Sequence, residues 1–357
     1  MNMLFSQVPI LSSESRAYLK GRRVLVTGGT GSFGRRFVRT LLEEAVDRLV
    51  VYSRDEHKHA DTQLEMRALD RRGVLQFCLG DVRDTDRLEM ALRGIDTVVH
   101  AAALKHVPAG EFNPSEFIRT NALGADSVVR ASMRAGVENV ITLSSDKAVN
   151  PISLYGASKL AADKVFVAAN IHAGNTGPRF SVVRYGNVLD SRGGVASLFS
   201  RLASNGADSL PITDSRMTRF WITLAQGVQL VCSCLPIMKG GEIFVAKVPS
   251  MKITDLARAI APNLPHKIVG IRPGEKLHET LITEMDARKA FDLGDRFVVE
   301  PVFDFWKSGS HLNGPTKPLP ADFRYTSDTN QRWLTIPDIA ELLQLSSLSG
   351  LATAETG

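Results

Sequence analysis

The chain has 357 residues, 44% of them hydrophobic and 23% charged, which are the proportions of a folded globular protein and exclude a disordered or fibrous one. No apolar run approaches the ~20 residues of a membrane-spanning helix, and residues 1–22 lack the charged start, apolar core and cleavage site of a secretory signal, so a cytoplasmic protein with no membrane partner is expected. The 43 basic and 38 acidic residues leave a net charge of +5 dispersed along the chain, which weakly favours anionic ligands and argues against nucleic acid as a partner.

Short apolar runs alternate with helix-compatible stretches along the first half of the chain. Val24-Leu25-Val26 is followed by a glycine cluster and then by Phe37, Val38, Leu41 and Leu42 at helical spacing, which predicts strand, tight turn and helix. Further strands are expected at Leu49 to Tyr52, Leu75 to Leu79, Thr97 to His100, Val140 to Leu143, Phe180 to Tyr185 and Glu242 to Val245, with a helix from Tyr155 to Ala169. This alternation predicts an α/β, Rossmann-type doubly wound parallel sheet of about seven strands. From Leu189 the composition shifts toward Gly, Pro and isolated charges, as in a smaller C-terminal substrate-binding lobe. The predicted partition is 1–188 for the nucleotide domain, with 218–250 returning to it, 189–217 and 251–345 for the lobe, and 346–357 for a flexible tail. Cys232 and Cys234 read as core thiols, and His106 and His278 lack ligand spacing, so no metal site is expected.

Thr27-Gly28-Gly29-Thr30-Gly31-Ser32-Phe33-Gly34 lies between the first strand and the first helix. A dinucleotide pyrophosphate needs close backbone approach and amide donors at a helix N-terminus, and glycines at 28, 31 and 34 permit both. Their spacing is similar to that of the extended short-chain dehydrogenases/reductases. After the second strand, Tyr52-Ser53-Arg54-Asp55 offers an arginine where an NAD site would place a carboxylate, so NADP is favoured over NAD.

Tyr155 and Lys159 stand four apart at a predicted helix start and share a face, downstream of a strand ending in Ser144-Ser145. A phenol with a pKa near ~10 accepts a proton at neutral pH only if it is shifted down, as a nearby ammonium would do. Asp146-Lys147 directly after Ser145 decides the reaction class. Once C4 of a hexose is oxidised, a base at C5 and an acid at C6 complete an elimination. Lys147 would serve as base if its pKa fell about three units, and Asp146 as acid if its pKa rose.

The ordered blocks TGGTGSFG, YSRDEHK, GDVRD, AAALKHVP, LSSDKAVNPISLYGASKL, VVRYGNVLDSRG, ITDSRMTRFWIT, GGEIFVAKVPSM and GIRPGEKLHE resemble the nucleotide-sugar 4,6-dehydratases, within them the C5-inverting UDP-N-acetylglucosamine 4,6-dehydratases that begin pseudaminic acid synthesis. The resemblance implies NADP contacts at Thr30, Gly31, Ser32, Phe33, Ser53, Arg54, Asp55, Glu56, Lys58, Asp81, Val82, Ala101, Tyr155, Lys159, Val188, Leu189, Asp190, Ser191 and Arg192. It implies nucleotide-sugar contacts at Lys105, Leu123, Gly124, Tyr155, Asn187, Val195, Thr213, Arg272 and Glu275, with Lys105 and Arg272 as cations suited to a diphosphate. It also implies a homo-oligomer, often a hexamer. Ser145 stands where relatives often have threonine, and Gly193 to Ser197 depart from the expected serine and proline.

The expected chemistry is therefore dehydration of UDP-N-acetylglucosamine with internal hydride transfer and inversion at C5. Tyr155 acts with Lys159 at the C4 hydroxyl, Lys147 at C5 and Asp146 at C6. Two alternatives stay open: a UDP-N-acetylhexosamine epimerase on the same fold, and a non-catalytic NADP-binding regulatory protein.

Overall fold

The computed structural model describes residues 11–189, 193–302, 311 and 316–351, the last seven by their backbone. Asp190, Ser191, Arg192 and residues 352–357 of the expected tail lie outside the described residues. β1 (Arg23–Thr27), β2 (Arg48–Ser53), β3 (Leu75–Leu79), β4 (Thr97–His100), β5 (Asn139–Ser145) and β6 (Arg179–Tyr185) lie in the order β3-β2-β1-β4-β5-β6. All five pairings are parallel, and Ile243–Ala246 adds a seventh parallel strand beside β6.

Period-two alternation explains why these strands are central. Val24, Val26, Leu49, Val51, Val99, Ile141 and Val183 enter one core cluster, whereas Leu25, Val50, Tyr52, Val98, Val140 and Val182 enter another on the opposite face. The helices Ser32–Leu42 and Leu224–Cys234 cover the first face through Phe37, Val38, Leu41, Val228 and Val231. Gly124–Ala135 and Leu154–Ala173 cover the second through Val128, Ala162 and Phe166. Full burial of each Val, Leu or Phe contributes about 1.5–3 kcal/mol. The crossover direction reverses between β1 and β4, which opens a crevice at the strand C-termini where doubly wound sheets bind ligands.

Five segments depart from the predicted partition. Among the described residues the sheet has ten strands, because Arg296–Val299, Ala290–Asp292 and Lys317–Pro318 continue it antiparallel beyond Ile243–Ala246. These lie inside the range assigned to the lobe, yet Phe291, Phe297 and Val298 bury against the nucleotide-domain core. Thr218–Ile222, assigned to the nucleotide domain, instead forms a three-stranded sheet with Asn187–Val188 and Ser250–Lys252. Its alternation spans the seam: Phe220 and Ile222 enter the main core, and Trp221 enters a third cluster with Phe199, Ile212, Met251 and Leu256. Finally, the helix Ile336–Leu351 runs into the segment expected to fray. Ile339 and Leu342 anchor it in the third cluster, and Leu345, Leu348 and Leu351 continue a spacing of three.

Candidate active site

One cleft of ≈ 1140 Å³ runs along the strand C-termini, lined at one end by the glycine turn and at the other by Arg201, Thr213 and Arg272. That is space for a dinucleotide and a second large ligand side by side. Gly28, with φ +66°, turns the chain out of β1, and a Cβ there would lie 2.8 Å from the Cα of Ala102. Gly31 caps the helix Ser32–Leu42 without a side-chain bond, so its first-turn amides are free to face the cleft, which Thr30, Gly31, Ser32, Phe33 and Gly34 line. An uncapped, eleven-residue helix N-terminus beside a glycine turn fits a pyrophosphate.

The far end of the cradle lies beyond β2. Ser53 Oγ is 3.0 Å from Thr30 Oγ1, and Asp55 caps the following helix by accepting from Lys58 N at 3.0 Å. Ser53, Arg54, Asp55, Lys58, Asp81, Val82 and Ala101 all line the cleft. Arg54 is half-exposed, its Nη1 3.7 Å from Asp81 Oδ2, and is placed to meet an anionic group. Glu56 does not line the cleft: as the first residue of its helix it is exposed toward His57. Val188 lines the cleft, but Leu189 is buried in the third cluster, its N–H donating to the Ile222 carbonyl at 3.0 Å.

The chemistry-bearing side chains converge at the end of β5. Ser145 caps a single 3-10 turn, Asp146–Ala148, and its hydroxyl donates to Asp146 Oδ1 at 2.8 Å. The Lys147 ammonium donates to Asp146 Oδ1 at 3.0 Å and to Asn187 Oδ1 at 3.0 Å, and lies 3.3 Å from Glu279 Oε1. Ser153 starts the helix Leu154–Ala173 by accepting from Gly156 N at 3.1 Å, which delivers Tyr155 and Lys159 to the same floor. Lys159 Nζ donates to the Leu143 carbonyl at 2.6 Å.

Burial and neighbouring charges together set the electrostatics and correct two expectations. Asp146 is fully buried, and burial first, with Glu279 also opposing its charge, holds its carboxyl above the ordinary range despite Lys147. That is the direction an acid needs. Burial also acts to lower Lys147, but the carboxylates of Asp146 and Glu279 outweigh it and hold the amine above the usual lysine value, not below as expected. The Tyr155 phenol is likewise raised, by burial, against the opposing effects of Lys147 and Ser145. Lys159 is lowered by burial, opposed by Asp163.

The family model described as polysaccharide biosynthesis protein matches residues 24–301. The chain is 47% identical over 329 residues to a Campylobacter jejuni protein named UDP-N-acetylglucosamine 4,6-dehydratase (inverting), covering 90% of this chain and 97% of that one. The chain belongs to the UDP-N-acetylglucosamine 4,6-dehydratases of this family. Among solved structures, Pen from Bacillus thuringiensis superposes with TM-score 0.83 at 32% identity, over 92% of this chain and 99% of the other. DesIV, the dTDP-glucose 4,6-dehydratase of Streptomyces venezuelae solved with NAD and TYD bound, gives TM-score 0.63 at 26% identity, over 71% and 86%.

The nucleotide-sugar positions implied by that dehydratase family divide into two groups. Lys105, Asn187, Val195, Thr213, Arg272 and Glu275 line the cleft. Lys105 is exposed as a residue, but its ammonium sits where burial lowers its pKa, and Arg272 pairs loosely with Glu275 at 3.8 Å. Leu123 and Gly124 do not line it. Leu123 is 57% exposed, at the end of the π-helical turn Ile118–Leu123, because Asn121 faces inward to bond Leu104 and Ser158. Gly124 packs on Val82 instead. Nor does either histidine stand at the catalytic floor: His106 caps Val107–Phe112, and His278 Nδ1 lies 2.8 Å from Thr218 Oγ1. The sequence reading gave no role to Glu279, Arg219 or Lys276, although the blocks ITDSRMTRFWIT and GIRPGEKLHE contain them.

Proposed function

We propose that the protein dehydrates UDP-N-acetylglucosamine across C4, C5 and C6, with inversion at C5, to a 4-keto-6-deoxy sugar nucleotide. The observation that carries this reading is Lys147, which lines the cleft floor and bonds both Asn187 and the fully buried Asp146 behind it, itself bonded by Ser145. An epimerase on this fold needs Tyr155 and hydride return but has little use for an added acid and base.

NADP is the cofactor we assign, held by the turn from Gly28 to Gly34 and by Ser53, Arg54 and Lys58, with Tyr155 and Lys159 toward the nicotinamide ribose. Bound there, it would supply a hydride acceptor in its oxidised form and a hydride donor once reduced, and the oxidised ring would add positive charge beside the phenol and amine. Tyr155 takes the C4 hydroxyl proton, aligned by Ser145. Lys147, once neutral, takes the C5 proton. Asp146, its acid form favoured by burial, gives its proton to the departing C6 hydroxyl, which leaves as water, and after hydride has added at C6 a proton returns to C5 on the opposite face, which is the inversion. Lys105 and Arg272 hold the diphosphate. The pseudaminic acid route implied by the resemblance would accept such a product, and the implied self-association is tested by light scattering.

Incubation with the sugar nucleotide and catalytic NADP+ should yield a product lighter by one water with no net change in nicotinamide absorbance. Steady accumulation of NADPH would sink the internal-transfer reading.

A further inference from the structure

Resting on the dehydratase reading, we propose that Glu279 is a positioning residue for Lys147: it fixes the direction of that amine and, as one of its two carboxylate partners, governs how readily it gives up a proton. A lysine ammonium has three N–H donors. Here two acceptors take hydrogen bonds from it, Asp146 Oδ1 and Asn187 Oδ1, each at 3.0 Å, and Glu279 Oε1 adds an ion pair at 3.3 Å from the third side. Two of these come from the nucleotide domain near the catalytic turn. Glu279 comes from the segment before Thr280–Ile282 and ties the turn to the chain that closes the cleft.

Glu279 is itself held through its backbone and by ion pairs, its buried Oε2 having no hydrogen-bond partner among the described residues. It is 2% exposed, its N–H donates to Ser327 Oγ at 2.9 Å, and its carbonyl accepts from Ser327 N at 2.8 Å. Lys276 Nζ lies 3.4 Å from Oε2 and Arg219 Nε 3.7 Å from Oε1. Arg219 is fixed in turn by the carbonyls of Thr218, Leu277 and Lys276, and Lys276 by that of Val149 at 2.5 Å.

The charged and titratable groups facing Lys147 are Asp146 from its own turn, Tyr155 from the helix behind it, Arg219 from the strand Thr218–Ile222, and Lys276 and Glu279 from the closing segment. Burial opposes the charged form of both carboxyls, but Lys147, Arg219 and Lys276 hold Glu279 below the usual carboxylate range while Asp146 stays above it, so Glu279 is the stronger anion facing three cations. A base at C5 must be neutral. Removing the Glu279 charge makes the ammonium less stable, so Lys147 becomes neutral at lower pH. Removing the Lys276 charge has the opposite effect.

The test is the pH profile of kcat for the NADP-loaded protein turning over UDP-N-acetylglucosamine, in the wild type, Glu279→Gln and Lys276→Met, with NADP+ affinity and melting temperature recorded alongside. The ascending limb should move to lower pH in Glu279→Gln, by about one unit or more, and to higher pH in Lys276→Met. Opposite shifts are a signature that a merely structural role cannot produce. Loss of rate at every pH with an unmoved limb, or shifts of the same sign, would overturn the proposal. If Glu279→Gln fails to fold, Lys276→Met decides alone: an upward shift supports the proposal and an unmoved limb overturns it. Absence of dehydrated product from the wild type at every pH would remove the dehydratase reading, and this proposal with it.

Discussion

Gly156 approaches Lys147 so closely that a Cβ on it would lie 2.1 Å from the Lys147 carbonyl oxygen. The helix carrying Tyr155 and Lys159 and the turn carrying Asp146 and Lys147 are therefore in backbone contact, and only glycine permits it. Gly156→Ala should push the two apart, destabilising the fold by about 1–3 kcal/mol and lowering kcat by roughly 10²-fold through misplacement of the floor. Thermal melts and steady-state kinetics check this, and a variant with wild-type kcat would contradict the contact.

Lys147→Gln keeps a hydrogen-bonding side chain beside Asp146 but removes the proposed base. NADP+ affinity should stay near wild type while dehydration falls by about 10²–10⁴-fold. Oxidation at C4 needs Tyr155, not Lys147, so the variant should show a single-turnover burst of NADPH on mixing with substrate. Dehydration at near wild-type rate would take Lys147 out of the chemistry.

Half-exposed beside Asp81, Arg54 is the residue proposed to meet the 2′-phosphate of NADP. Arg54→Ala should weaken NADP+ about tenfold or more and leave NAD+ nearly unchanged, the scale of a charge-assisted pair to phosphate. Fluorescence titrations with both cofactors measure it, and equal loss for both would reassign the residue.

His100 gives the fold an acid limit. Its buried ring stacks near Phe166 and lies 2.7 Å from Thr27 Oγ1, and burial, with Lys159 adding to it, lowers its pKa to about 3. The folded ring stays neutral while the unfolded one takes a proton below about 6.5, so the unfolded state binds more protons as pH falls. Stability should drop by about 1.4 kcal/mol per unit from pH ~6.5 toward pH ~3, or about 2 kcal/mol by pH ~5 from this residue. Denaturant melts across that range should steepen in the wild type and flatten in His100→Gln.

The sequence made the nucleotide fold legible because its information is local. Val24-Leu25-Val26 alternates between two cores, the glycine turn follows it directly, and Ser145, Asp146, Lys147, Tyr155 and Lys159 fall within one strand, turn and helix. What stayed illegible depends on pairing across the chain. The short strands at Ala290–Asp292 and Arg296–Val299 carry no periodic signal of their own and are recruited by burial of Phe291 and Phe297. Glu279 sits in a quoted block but gains meaning only when Lys147 is brought 3.3 Å from it, and that contact, with the larger effect of Asp146, reverses the expected direction of the lysine pKa. Leu123 turns outward because a π-helical turn shifts the helical register, which spacing alone does not reveal.

The most direct test of the central claim is a proton NMR time course of the purified protein with UDP-N-acetylglucosamine and catalytic NADP+ in deuterated water. The account predicts a new methyl signal, deuterium at C5 and ring couplings of the inverted sugar. Altered ring couplings with no methyl signal would contradict it and identify an epimerase on the same fold.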